Sequence, residues 1–164
     1  MRAISKLGAT AYSIALAIIA ADQAIKYWIL YVFNLPMRLS VPVAGPFSLT
    51  MVMNRGVSFG LFRAEQDLMR WVLVVFSLVV ATVLTVWARR ADRLLLTVAL
   101  GMIIGGAVGN AIDRIRFGAV VDFLDFSQMM FPWVFNLADA GITIGVALLL
   151  FDSLRADQAA KVSR

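Results

Sequence analysis

Four apolar runs, at about residues 7–30, 69–88, 94–112 and 133–154, leave this chain few folds to choose from. Each is close to the roughly 20 helical residues that cross the hydrocarbon core of a bilayer. In that core a backbone must satisfy its own hydrogen bonds, which favours helices over open sheets and loops. A soluble domain of 164 residues would have too little interior for a composition that is 62% hydrophobic and only 15% charged. The expectation is an all-α membrane protein, residues 1–164 forming one domain around four transmembrane helices.

Charge sets the direction of threading. The net charge of +5 would suggest nucleic acid in a soluble chain, but here Lys and Arg flank apolar runs and read as anchors near anionic lipid. No nucleic-acid partner is expected. Arg2, Lys6, Arg89, Arg90, Arg93, Arg155, Lys161 and Arg164 gather at one set of ends, eight of the fifteen basic residues. That margin is small, so the assignment rests on the tight turn Arg89-Arg90-Ala91-Asp92-Arg93, a poor loop to export. Both termini are expected in the cytoplasm. The N-terminal run, with Arg2 and Lys6 before it, has the outline of a cleavable signal peptide. It is read as retained, because Asp22 and Lys26 lie one turn apart within it and can partly neutralise each other.

The outer loops carry sheet patterns. Residues 47–53 alternate as a strand does, after a stretch punctuated by Pro36, Pro42, Gly45 and Pro46, and Gly56 and Gly60 mark turns beyond it. Residues 119–123 form a second strand-like piece. A small extracytoplasmic β-sheet would satisfy both loop backbones. Residues 62–70 mix Phe and Leu with charged side chains and suit a short interfacial helix.

Chemistry must come from carboxylates, Lys, hydroxyls or Tyr, since the chain has no Cys and no His. Asp22, Asp113, Asp122 and Asp139 lie at or near the ends of the apolar runs. An acid at membrane depth costs roughly 2.5–3.5 kcal/mol on insertion scales and marks a functional site by default. Asn136 shares a helix face with Asp139, and Asn110 lies one turn from both Asp113 and Arg114. Gly101, Gly105 and Gly109 form a small face, as do Ala138, Gly141 and Gly145, so these two helices are expected to pack closely. The bland alternatives are a packing face with a polar cap, and a buried Asp139 that pairs with Arg114 or Arg116 and only holds the bundle together. Together the acids suggest a paired-carboxylate site, in which two aspartates share a proton and activate a water. A Ser–Lys dyad fares worse, because Asp22 keeps Lys26 charged beside Ser48 or Ser58. A metal hydrolase would lean on hard oxygen ligands, and no ligand motif is visible. A small transporter would also carry membrane acids, but these cluster toward one face and no inverted repeat is visible. An anchoring protein would explain the glycines and leave the acids without a role.

Asp22-Gln23-x-x-Lys26, Asn54-x-Gly56, Gly105-Gly106-x-x-Gly109-Asn110-x-x-Asp113-Arg114, Val121-Asp122-Phe123 and Phe135-Asn136-x-Ala138-Asp139 stand in that order along the chain. In that order they resemble the motifs of lipoprotein signal peptidase (signal peptidase II), across the whole length. The resemblance implies an aspartic endopeptidase of the bacterial inner membrane. Such an enzyme cleaves diacylglyceryl-modified prolipoproteins just before the lipidated cysteine, on the periplasmic face, with no cofactor and no metal. It places the catalytic pair at Asp122 and Asp139. Asn110, Arg114 and Asn136 fall on positions that line the site, and Asn54, with Gly56, and Asp22 on its outer wall. Asp113 falls on a supporting position, expected beside Arg114. Ala140 departs from the family, where Ser is frequent. The implied fold is a four-helix bundle with a small outer sheet and a short surface helix. The implied partners are the prolipoprotein and membrane lipid, and the chain is expected to act as a monomer.

Overall fold

The computed structural model describes residues 4–56, 63–129 and 132–162. Helix α1 (Lys6–Tyr27) passes into a π-helical turn at Trp28–Val32 and then a one-turn helix α2 (Leu35–Arg38). Strands β1 (Ser40–Ala44) and β2 (Phe47–Asn54) follow, then α3 (Arg63–Ala88) and α4 (Leu94–Phe117). Strand β3 (Val120–Asp125), a short strand β4 (Val134–Phe135) and α5 (Leu137–Val162) complete the chain.

Among the described residues, four helices are long and apolar enough to cross a membrane: Lys6–Val32, Asp67–Ala88, Leu94–Phe117 and Leu137–Ala156. In the apolar stretch of the third, 72% of the residues are buried within the protein, against 22%, 17% and 22% for the others in chain order. Helix α4 is therefore the central post, and α1, α3 and α5 stand around it with most of their surface facing outward. A Cβ on Gly101 or Gly105 would lie 2.7 Å from the Ala11 carbonyl oxygen or from Ile18 Cβ, both on α1. The row Gly101, Gly105, Gly109 was expected to face the fourth span, and it packs mainly on α1 instead. Helix α5 meets α4 elsewhere: a Cβ on Gly106 would run into the Ala138 carbonyl, and one on Gly145 would lie 2.9 Å from the Ala99 carbonyl. The small face of α5 works as expected, with Ala138 against Gly106, Gly141 against the Met102 carbonyl and Gly145 against Ala99 and Ile103.

At one end of the bundle the chain is latched. Ser5 caps α1 through Gly8 N–H at 2.9 Å, donates its hydroxyl to the Ala91 carbonyl, and its own N–H reaches the Arg89 carbonyl. Arg93 pairs with Asp152 of α5 at 3.0 Å. At the other end lies a four-stranded antiparallel sheet in the order β1-β2-β3-β4. β1, missed in the sequence, is an edge strand carrying Pro42, where a missing N–H costs least. β3 is the strand that matters here. Val121 and Phe123 pack with Ile29 and Leu35 into one buried cluster, each side chain contributing about 1.5–3 kcal/mol by burial. The intervening Asp122 then points to the opposite face, as strand alternation requires. Phe126 stacks between Phe47 and Phe135 and ties β4 to β2.

Two expectations about element limits need correction. Residues 63–70, read as a short interfacial helix, are the first turns of α3, and the short helix of the outer loop is α2. The fourth helix starts at Leu137 rather than near Trp133, because Asn136 caps it. Ser58, Gly60 and Phe62 lie outside the described residues.

Candidate active site

Asp122 sits in the middle of β3, opposite Val52 of β2, and is 1% exposed. Asn54, at the end of β2, donates from Nδ2 to Asp122 Oδ2 at 2.9 Å. The Oδ1 of the same Asn54 accepts the Gly56 N–H at 2.9 Å, an Asx turn that Gly56 closes with φ +93°. The second carboxylate oxygen of Asp122 accepts from Asn136 Nδ2 at 2.6 Å.

Asp139 is the third residue of α5. Its N–H donates to Asn136 Oδ1 at 2.9 Å, and the Asn136 N–H points back to Asp139 Oδ2 at 3.4 Å. This is a reciprocal cap in which Asp replaces the more usual Glu. The cap places a carboxylate in the first helical turn, where the helix dipole favours negative charge. Asn110 of α4 donates to Asp139 Oδ1 at 2.7 Å and accepts from Asn136 Nδ2 at 3.2 Å. Asn136 thus serves three ends at once: it starts α5, holds Asp122 and bonds to Asn110. The result is a continuous chain of amides, Asn54–Asp122–Asn136–Asn110–Asp139, drawn from β2, β3, α4 and α5.

The two aspartates of β3 show what environment does. Asp125 is only partly buried and is hydrogen-bonded by Thr50 at 2.6 Å, which with the Ser127 amide lowers its pKa. Burial pushes Asp122 the other way, up to about 6. Hydrogen bonds from Asn54 and Asn136 and the charge of Lys26 oppose that rise, while the charge of Asp139 adds to it. Arg114 brings a cation that interacts with Asp139, Asp122 and Asp113, and its buried Nε has no hydrogen-bond partner among the described residues. Arg70 of α3 fixes the neighbouring backbone by donating to the Arg114 and Ile115 carbonyls at 2.7 and 2.8 Å.

Asp22 and Asp113 are brought close to this site without joining it. Asp113 was expected beside Arg114, but its salt bridge is to Lys26 at 2.7 Å, and Lys26 also bonds Asp22 at 2.8 Å. The Asp22–Lys26 pairing follows from their spacing of four on one helix. The second bridge, to α4, had no signal in the sequence. Gln23, named there within a motif but given no role, donates to Asp113 Oδ1 at 2.9 Å and to Asp22 Oδ2 at 3.2 Å.

Comparison with known proteins identifies the family. The sequence profile of signal peptidase (SPase) II matches residues 14–155. A lipoprotein signal peptidase of Caulobacter vibrioides is 50% identical over 156 residues, covering 94% of this chain and 92% of its own. One of Methylorubrum extorquens is 50% identical over 141 residues, covering 85% and 82%. A bacterial membrane enzyme solved by the in meso method at 1.9 Å superposes with a TM-score of 0.77 at 28% identity, over 94% of this chain and 97% of that one. A second, at 2.3 Å, gives 0.75 at 27% identity, over 94% and 93%. The chain belongs to the signal peptidase II family. It is a peptidase and a multi-pass protein of the bacterial inner membrane.

Proposed function

We propose that this chain is an aspartic endopeptidase that frees diacylglyceryl-modified prolipoproteins of their signal peptides, cutting just before the lipidated cysteine. Asp122 and Asp139 are the catalytic pair. The observation that carries this reading is the amide chain through Asn136 and Asn110, which ties two carboxylates from separate elements to one point at the end of the bundle. Asp122, raised toward neutrality by burial, suits a pair that shares one proton.

In the reaction, the ionised member takes a proton from water as the water oxygen bonds to the scissile carbonyl carbon. The protonated member gives its proton to the carbonyl oxygen, leaving a neutral gem-diol. Collapse returns a diol proton to a carboxylate, delivers a proton to the amide nitrogen and breaks the C–N bond. Arg114, whose Nε–H is unpartnered among the described residues, is available to the peptide carbonyls, and Asn54 with Gly56 walls the site on the sheet side. Asp22 and Asp113 support the pair from behind. Residues 1–164 make up one domain, working as a monomer without cofactor or metal.

The direct test is purified protein in lipid, incubated with a diacylglyceryl-modified prolipoprotein. The product expected by mass spectrometry starts at the lipidated cysteine. An uncut precursor, or a cut elsewhere, would overturn the reading.

The site faces the periplasm and both termini the cytoplasm, a reading supported by the compact basic turn latched by Ser5 and Arg93. Single cysteines at exposed Ser40 and Asp92 test this in a chain with none of its own. An impermeant maleimide should label position 40 in spheroplasts and position 92 only after permeabilisation. The opposite pattern would invert the topology. Ala91, in the same turn, is buried and would stay silent from either side.

A further inference from the structure

A buried ammonium stands behind the site, and each of its contacts leads to one of the two aspartates. Lys26 Nζ, on a side chain 2% exposed, lies 2.8 Å from Asp22 Oδ2, 2.7 Å from Asp113 Oδ2 and 3.5 Å from Asn110 Oδ1. An ammonium has three donors, and these three acceptors match them. Asp22 Oδ1 accepts the N–H of Ala138 at 3.1 Å, the residue before Asp139. Asp113 Oδ2 accepts the N–H of Val121 at 3.0 Å, the residue before Asp122. Asn110 holds Asp139 directly through Nδ2. Gln23 bridges the two outer carboxylates, so the frame is closed on that side as well.

We propose that Lys26 is a positioning residue of this peptidase, which sets Asp122 and Asp139 relative to each other by clamping Asp22 and Asp113 onto the backbone beside them. The inference rests on the assignment of Asp122 and Asp139 as the catalytic pair. Stability alone is a weak reason for such a cluster. Desolvating an ammonium and two carboxylates costs several kcal/mol per ion, and apolar replacements of similar volume are often as stable. What apolar side chains lack is the power to hold two backbone N–H groups, one on β3 and one on α5, at a fixed separation. Reacting groups gain most from being held in that way.

Lys26 also acts through charge. Among the described residues, the charged groups that act on Asp122 are Asp139 of α5 and Lys26 of α1, with Arg114 of α4 attracted to the pair and Asp113 and Asp22 behind Lys26. β2 and β4 bring the neutral Asn54 and the residue Asn136 that follows β4, and Arg70 of α3 is engaged by backbone carbonyls. A positive charge at Lys26 favours ionised Asp122, so removing it raises the pKa of Asp122. The limb of the rate profile that Asp122 controls should move to higher pH.

The experiment compares kcat, KM and the pH profile of the wild type, Lys26→Met and Lys26→Gln on the lipidated precursor, with Asp122→Asn and Asp139→Asn assayed alongside. Lys26→Met should lower kcat roughly ten- to hundredfold, as removal of groups that orient reacting side chains does elsewhere. KM should stay within about twofold, and the profile should shift upward by roughly half a pH unit or more. Lys26→Gln can still donate to both carboxylates but carries no charge, so it should recover much of kcat while keeping the pH shift. Wild-type kcat and an unmoved profile in a Lys26 variant that accumulates would overturn the proposal. So would failure of both variants to accumulate, which would make Lys26 a fold residue. If Asp122→Asn or Asp139→Asn retains activity, it is the catalytic assignment that falls, whatever the Lys26 variants do.

Discussion

Asp122→Asn and Asp139→Asn are each expected to reduce cleavage by a factor of roughly 10² to 10⁴ or more, the span associated with a positioned acid or base. That corresponds to about 3–5 kcal/mol of transition-state stabilisation. Asn fills nearly the same space as Asp, and its Oδ1 can still accept from Asn54 or Asn136 at position 122, or from Asn110 at position 139. What is lost is the exchangeable proton. Both variants should therefore reach the membrane at normal yield, which separates lost chemistry from lost folding. Asp125→Asn is the internal control. It lies on the same strand, partly buried, and engages Thr50 outside the amide chain of the site, so its activity should be near that of the wild type. Near-normal turnover in either of the first two variants would remove the paired-aspartate mechanism.

The second large effect concerns the lipid. A precursor without diacylglycerol on its cysteine should be cut at least about a hundredfold more slowly than the modified form at equal concentration. Burying acyl chains contributes about 0.8 kcal/mol per CH₂ and can fix the depth of the cysteine. Outward faces of α1, α3 and α5 offer the surface: Trp71, Val75, Phe76, Val79 and Val83 of α3 are all exposed on the protein. Anchoring at that distance from the scissile bond helps the reaction only by orienting the carbonyl toward the two aspartates. Initial rates on paired lipidated and unlipidated precursors make the measurement. Equal rates would show that the peptide alone is recognised.

How far the sequence carried these conclusions varies with the physics of each feature. The four spans were visible because hydropathy accumulates over 20 residues and needs no partner. Their ends were less so. The apolar reading of residues 133–136 concealed a strand and a cap, and only the hydrogen bonds of Asn136 show where α5 begins. β4 has two residues and exists because β3 is beside it. Glycine spacing announced close helix packing correctly but not which helix would approach, since a small face has no preference among apolar neighbours. For the site, the motifs marked the acids and the amides, and family resemblance assigned their roles. The link from Lys26 to Asp113 spans two helices far apart in the chain, and sequence spacing carries no trace of such a contact.

That the amide chain draws on β2, β3, α4 and α5 also bears on how such a protein comes into being. Synthesis runs from the N-terminus, so Asp22, Lys26, Asn54, Asn110, Asp113 and Asp122 all emerge before Asp139. Until the fourth span has been inserted, Asn136 cannot cap it, Asp122 lacks one of its two amide donors and the second carboxylate is absent. On the proposed assignment, a chain that lacks the fourth span therefore lacks both Asp139 and the cap that orders it, and becomes active only once the last helix is in place.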